Sequence, residues 1–151
     1  MSHRNRVIGG FPDGWKTMTL RSTAQIGGFT DGDWIESPYI ADRGIRLVQT
    51  GNIGIGEFIE KADSRKFITP KSFKELGCKW VHPGDILISR LADPIGRACR
   101  VPERIDHCVT AVDCTIYRPD PDIADPSFLL HLSNWRAHLR KLEALAGGST
   151  R

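Results

Sequence analysis

The chain has 151 residues, enough for one hydrophobic core and too few for a second of comparable size. Hydrophobic residues make up 40% and charged residues 26%, ordinary values for a soluble protein that argue against disorder. A formal charge of +3 and an isoelectric point near 8.8 suit an anionic partner without naming one, and no stretch approaches the ~20 apolar residues of a membrane span.

The N-terminal MSHRNR is charged but leads into no apolar run, so it is not a signal peptide, and a cytoplasmic location is expected. Residues 1–14 read as a flexible arm and residues 15–151 as a single domain. Leu20 to Ile26 reads as a short N-terminal helix stopped by Gly27-Gly28. From Gly28 to Asp42 the composition is that of an ordered loop. Trp34 and Tyr39 could stack on bases, but are expected to anchor that loop in the core, because aromatic side chains usually bury their large area.

Gly44 to Phe58, GIRLVQTGNIGIGEF, is the stretch around which the chain is organised. Its aliphatic run Ile45–Val48 passes straight into polar residues and glycines, the pattern of a buried strand ending in a displayed loop. Thr69-Pro70 then supplies a cap and a first-turn proline, and Gly77 a stop, for a short helix from Pro70 to Leu76 that buries Phe73 and Leu76. The turn His82-Pro83-Gly84-Asp85 leads into a strand from Ile86 to Arg90.

Ile95–Val101 and Val109–Tyr117 alternate as two half-buried strands. Asp125-Pro126 opens an amphipathic helix near 126–146, with Phe128, Leu132, Trp135, Leu139 and Leu142 at steps of four and three. Its basic face, with His131, Arg136, His138 and Arg140, reads as the solvated side of a helix covering a sheet. The predicted fold is α+β (mixed α/β): a twisted, mainly antiparallel or mixed β-sheet of five or six strands with these three helices.

Side chains suited to nucleic acid follow the two main strand runs. Gln49, Thr50 and Asn52 come after the first; Ser89, Arg90, Arg97 and Arg100 surround the second. Lys66 and Lys79 belong to the stretch from Lys61 to Arg104, which is rich in Lys and Arg, whereas acids recur at Asp31, Asp33, Glu36 and Asp42 and between Asp113 and Asp125.

Catalytic signatures are missing. Gly51 to Gly56 contains G-x-x-G-x-G but opens no helix, Glu57, Glu60 and Asp63 fall in no metal-ligand spacing, and there is neither a G-x-S-x-G elbow nor an H-E-x-x-H pair. Cys78, Cys99, Cys108 and Cys114 form no C-x-x-C pair and read as free buried thiols, not as zinc ligands with His107. No cofactor, metal or catalytic residue is expected.

Taken in order, Trp15 and Leu20, GIRLVQTGNIGIGEF, the Thr69-Pro70 helix, GDILISR with PIGRACRVP, TAVDCTIYRPDPDIADPSFLLHLSNW and the terminal GGSTR resemble one target-recognition domain of a type I restriction-modification specificity subunit, from Trp15 to Arg151. The resemblance implies a non-catalytic reader of double-stranded DNA that takes a half-site of a few base pairs through loops presented by its sheet. It also implies DNA methyltransferase and restriction subunits as partners, and possibly a second half-subunit. The family continues into a spacer helix where this chain ends, so a half-subunit, a truncated gene and an excised domain are all consistent with the sequence.

Within that expectation Gln49, Asn52, Arg90 and Arg97 are candidate base readers, because Arg pairs bidentately with guanine and Asn or Gln with adenine, each good pair contributing ~1–3 kcal/mol of discrimination. Thr50, Lys66, Lys79 and Arg100 are assigned to phosphate and Ser89 to the same DNA-facing surface. The alternative is a protein-interaction or scaffold domain derived from such a reader.

Overall fold

A computed structural model describes residues 12–147. The expected arm, apart from residues 12–14, and the GGSTR end beyond Gly147 lie outside the described residues. The fold is α+β, and the strands form two four-stranded sheets where one sheet was expected. In the first sheet the order is β1 (Ala24–Asp31), β8 (Cys114–Pro119), β5 (Ile86–Ser89), β6 (Ala98–Arg100), antiparallel throughout. In the second it is β2 (Ile40–Ala41), β4 (Lys66–Ile68), β3 (Ile45–Val48), β7 (Val109–Thr110), with β3 and β7 parallel.

Strand alternation sends successive side chains to opposite faces and so builds three buried clusters between four layers. Val48, Leu87, Cys99, Cys114 and Ile116 share one buried cluster with Val81 and Cys108 between the sheets. The neighbouring residues Ile86, Ala98 and Tyr117 face the other way, onto Leu129 of α2 (Pro126–Ser133). Leu47, Ile68 and Val109 meet Phe73 and Leu76 of α1 (Pro70–Leu76) on the outer face of the second sheet. Strands covered on both faces carry apolar residues at successive positions, and for that reason Leu47-Val48 and Ile86–Ile88 are recognisable without alternation.

The local signals around α1 act as expected. Thr69 Oγ1 accepts from the Ser72 N–H at 3.0 Å, Pro70 takes the first turn, and Gly77 at φ 62° ends the helix in the left-handed region. At the start of α2, Asp125 accepts from the Phe128 N–H at 2.7 Å.

Five expectations are corrected. Leu20–Ile26 is not a helix: a single 3-10 turn, Arg21–Thr23, runs into β1, and Gly27-Gly28 fall where the β1–β8 register shifts, as a bulge instead of a helix stop. The strand expected over Ile95–Val101 is confined to Ala98–Arg100, and Val109–Tyr117 is split between β7 and β8 by the turn at 111–113.

The C-terminal helix is also two, α2 and α3 (Arg136–Leu145), broken at Asn134-Trp135. There the Asn134 side chain accepts from the Ala98 N–H and donates to the Ala98 carbonyl, both at 2.9 Å. It thereby pairs the Ala98 N–H at the edge of β6, whose carbonyl also accepts from the Gly56 N–H at 2.8 Å. Finally, Trp34 is 69% exposed, its indole N–H donating to Glu36, so it anchors no core; Tyr39 is half-buried.

Candidate nucleic-acid interface

Strand direction brings several loops to one rim. β3 and β7 run parallel with Val48 beside Thr110, so the segments beginning at Gln49 and Ala111 leave the second sheet together. β4 is antiparallel to β3 with Lys66 beside Leu47, and therefore starts at that rim. In the first sheet Asp31 lies beside Thr115 and Ser89 beside Cys114, so β1 and β5 both end where β8 begins.

The Gly32 N–H donates to the Cys114 carbonyl at 2.8 Å and the Asp33 N–H to the Thr110 carbonyl at 2.9 Å, lacing the two sheets together. A Cβ at Gly32 would overlap the Ala111 carbonyl oxygen, so only glycine permits this approach.

On that rim the segment after β3 and the segment before β4 enclose a cleft of about 300 Å³. Its lining includes Gln49, Thr50, Arg46, Lys61, Ser64, Arg65 and Lys66 and no carboxylate. Lys61 adopts φ 46°, ψ 54°, a left-handed conformation at a residue other than glycine. A Cβ on Gly51 would stand 2.7 Å from the Lys61 Nζ, so the ammonium lies directly over the Gly51 backbone. Amide, hydroxyl and ammonium groups thus converge on one concave surface, a combination suited to base edges and phosphate oxygens.

The candidate residues divide into three groups. Gln49, Thr50, Asn52 and Lys66 line the cleft together, Asn52 from its floor. Arg90 and Lys79 reach the rim but are neutralised there, Arg90 by Asp31 at 2.9 Å and Lys79 by Asp33, whose other oxygen also accepts the Lys79 backbone N–H. Arg100 lies toward the opposite end of β6, beside Ile86, where it donates to Ser127 of α2.

Ser89 and Arg97 are buried, and Asn52, which lines the cleft, is 8% exposed with its side-chain amide committed to backbone partners. Asn52 accepts from the Gln49 N–H at 3.0 Å and donates to the Ile59 carbonyl at 2.8 Å. Ser89 donates to the Leu91 carbonyl. Arg97 gives its N–H groups to the carbonyls of Ile53, Leu91, Pro94 and Thr50 at 2.7 to 3.1 Å. These three side chains hold the displayed loops from beneath.

The cleft residues missed in the sequence are Arg46, Lys61, Ser64 and Arg65. The signal for Lys61, Ser64 and Arg65 is the dense run Lys61-Ala62-Asp63-Ser64-Arg65-Lys66, which becomes a site because β4 returns antiparallel beside β3, and Arg46 is the one charged residue within the β3 run. Trp34, next to Asp33 at the rim, is also exposed where a core role was expected.

One ion pair away from the rim has a buried carboxylate. Asp85, 3% exposed, receives Nε and Nη2 of Arg118, each at 2.7 Å, and its hydrogen bonding raises the arginine's pKa. The four cysteines are free and buried, and burial pushes Cys99 and Cys108 up to about 12 and Cys114 to about 11. Among the described residues no helix is long and apolar enough to cross a membrane.

No family model matches the sequence, and no curated protein matches it. Solved structures do. A chain from the structure described as the structural basis of complex assembly and conformational transition of the type I R-M system aligns with 99% of this chain and 33% of its own length, at TM-score 0.63 and 19% identity. The crystal structure of the HsdS subunit from Thermoanaerobacter tengcongensis aligns with 87% of this chain and 30% of its own, at TM-score 0.56 and 20% identity. The chain spans about a third of the length of these solved chains. In fold, the chain is therefore similar to part of the HsdS subunit of a type I restriction-modification system, as its ordered motifs implied.

Proposed function

We propose that this chain binds double-stranded DNA in a sequence-specific manner, reading a half-site of a few base pairs as the non-catalytic specificity component of a type I restriction-modification system. The observation that carries the reading is the rim cleft, where Gln49 and Thr50 stand among Arg46, Lys61, Arg65 and Lys66 with no carboxylate in the lining. The fold shared with an HsdS subunit supports the same role. In this reading Gln49 is the base reader, through an amide that can pair with adenine, while Thr50, Lys61 and Lys66 hold phosphate. Arg90 and Lys79 join only on release from Asp31 and Asp33. Methylation and cleavage belong to partner subunits, and a second half-site to a second recognition domain.

Anisotropy titrations of the full chain against a randomised duplex pool, followed by selection of bound sequences, test this. The expected result is binding that weakens steeply as salt rises, because phosphate contacts release counterions, together with an enriched short motif. No binding at low salt and no enriched motif would overturn it. Salt-insensitive association with a protein, unaffected by changes in the cleft, would support the protein-interaction alternative.

A further inference from the structure

A second concentration of guanidinium groups adjoins the cleft. Arg46 Nη1 donates to Glu60 Oε1 at 2.9 Å, Arg65 Nε donates to the same oxygen at 3.0 Å, and Arg104 Nη2 lies 3.4 Å from Oε2. The hydrogen bond from Arg46, with help from Arg65, holds the Glu60 carboxyl below its ordinary pKa, so it is ionised at neutral pH. Three permanent cations therefore converge on one anion.

A surface latch needs only one arginine. Here the Arg65 and Arg104 side chains are 44% and 62% exposed, and each guanidinium carries five N–H donors, more than Glu60 can accept. The groove they line shares Arg46 and Arg65 with the cleft, and its other acid, Asp106, accepts from the backbone N–H of His107. Cleft and groove together present five cationic side chains against two carboxylates. Crowded like charges on a continuous concave surface fit a polyanion whose charges repeat along its length.

We propose that Arg65 and Arg104, held by Glu60, form a clamp on the sugar-phosphate backbone of the duplex whose bases face the cleft, and that Glu60 is a positioning residue for the clamp. The proposal rests on the function given above and adds to it a contact that is independent of base sequence. Planar guanidinium forks match phosphate bidentately, and the carboxylate between them fixes their orientation before DNA arrives.

The test uses the full chain, a selected duplex and an unrelated duplex, each titrated across a salt series. Arg65→Ala with Arg104→Ala should weaken binding to both duplexes by a similar factor, about tenfold or more, and reduce the slope of log K against log salt by about 1.8, or about 0.9 for each lost phosphate contact. Arg65→Lys with Arg104→Lys should restore the slope but not the full affinity, which also covers the case in which the alanine pair fails to fold.

Glu60→Gln raises the net charge, so simple attraction would tighten binding, whereas loss of positioning should weaken it severalfold. If the wild type binds and Lys61→Ala with Lys66→Ala impairs it, but the Arg65/Arg104 pair changes neither affinity nor slope, the clamp is overturned and the cleft reading stands. A wild type that binds neither duplex overturns both.

Discussion

The buried guanidinium of Arg97 donates through Nη2 to the Thr50 carbonyl at 3.0 Å, tying the turn between β5 and β6 to the loop that carries Gln49. No carboxylate pairs with it among the described residues; four backbone carbonyls solvate the charge instead. Arg97→Met leaves those carbonyls without their donor in a buried place, and hydrogen bonds to charged groups contribute about 1.5–3 kcal/mol. The expected loss of stability is on the order of 3 kcal/mol by urea unfolding. An unchanged midpoint together with lost DNA affinity would instead return Arg97 to the base-contacting set.

Asn52→Ala removes the acceptor for the Gln49 N–H and the donor to the Ile59 carbonyl. Each orphaned buried group costs about 1–3 kcal/mol. The expected result is a lower melting temperature and faster amide exchange at Gln49, measured by hydrogen exchange, because this side chain closes the loop from within.

Gly51→Ala probes the cleft with little cost to the fold. The new methyl would press on the Lys61 ammonium, the far end of a flexible side chain, which can swing away. Stability should change by less than about 0.5 kcal/mol, as for ordinary surface changes. DNA affinity should fall, and the salt slope with it, by up to about 0.9, as the Lys61 phosphate contact is displaced.

Two histidines resist protonation in the folded state: His82 through burial and then the nearby Arg118, against an opposing pull from Asp85, and His138 through burial and then Lys141. The unfolded chain takes up these protons near pH 6.5 while the folded chain does not. Stability is thus fully present above that pH, declines as the pH falls through it, and levels off below the folded values. Glu60, held below its ordinary pKa, adds a further loss at more acid pH. Melting curves should show the first decline between about pH 7 and 5.5, smaller in His82→Gln.

The thiols should be silent in the native protein. Cys99, Cys108 and Cys114 are fully buried, with pKa values raised to about 11 or 12 by burial, and Cys78 is raised by the same cause. Ellman's reagent should react slowly at pH 8 and with all four cysteines once the chain is denatured. Rapid reaction of any one would show that its layer of the core opens.

The elements legible in the sequence are those fixed within a few residues. Thr69-Pro70 with Gly77 and Asp125-Pro126 cap helices whatever surrounds them, and Leu47-Val48 and Ile86-Leu87 are apolar at successive positions, as strands covered on both faces are. Gly27-Gly28 and Asn134 take their roles from a bulge opposite β8 and from the edge of β6, and neither partner is near in sequence.

The capped helices, the apolar strands, the buried thiols and the concentration of amide and cationic side chains between Gln49 and Arg104 are all legible in the order of residues. Only the tertiary structure decided which of those side chains face outward. Arg97 and Arg90 differ little as residues, yet one is enclosed by backbone carbonyls and the other exposed beside Asp31. Lys61 and Lys66 became neighbours of Gln49 through the antiparallel return of β4. The reason is physical: a side chain's charge and hydrogen-bonding capacity are local properties, whereas its exposure and partners depend on how strands distant in sequence pair and which edges they leave open.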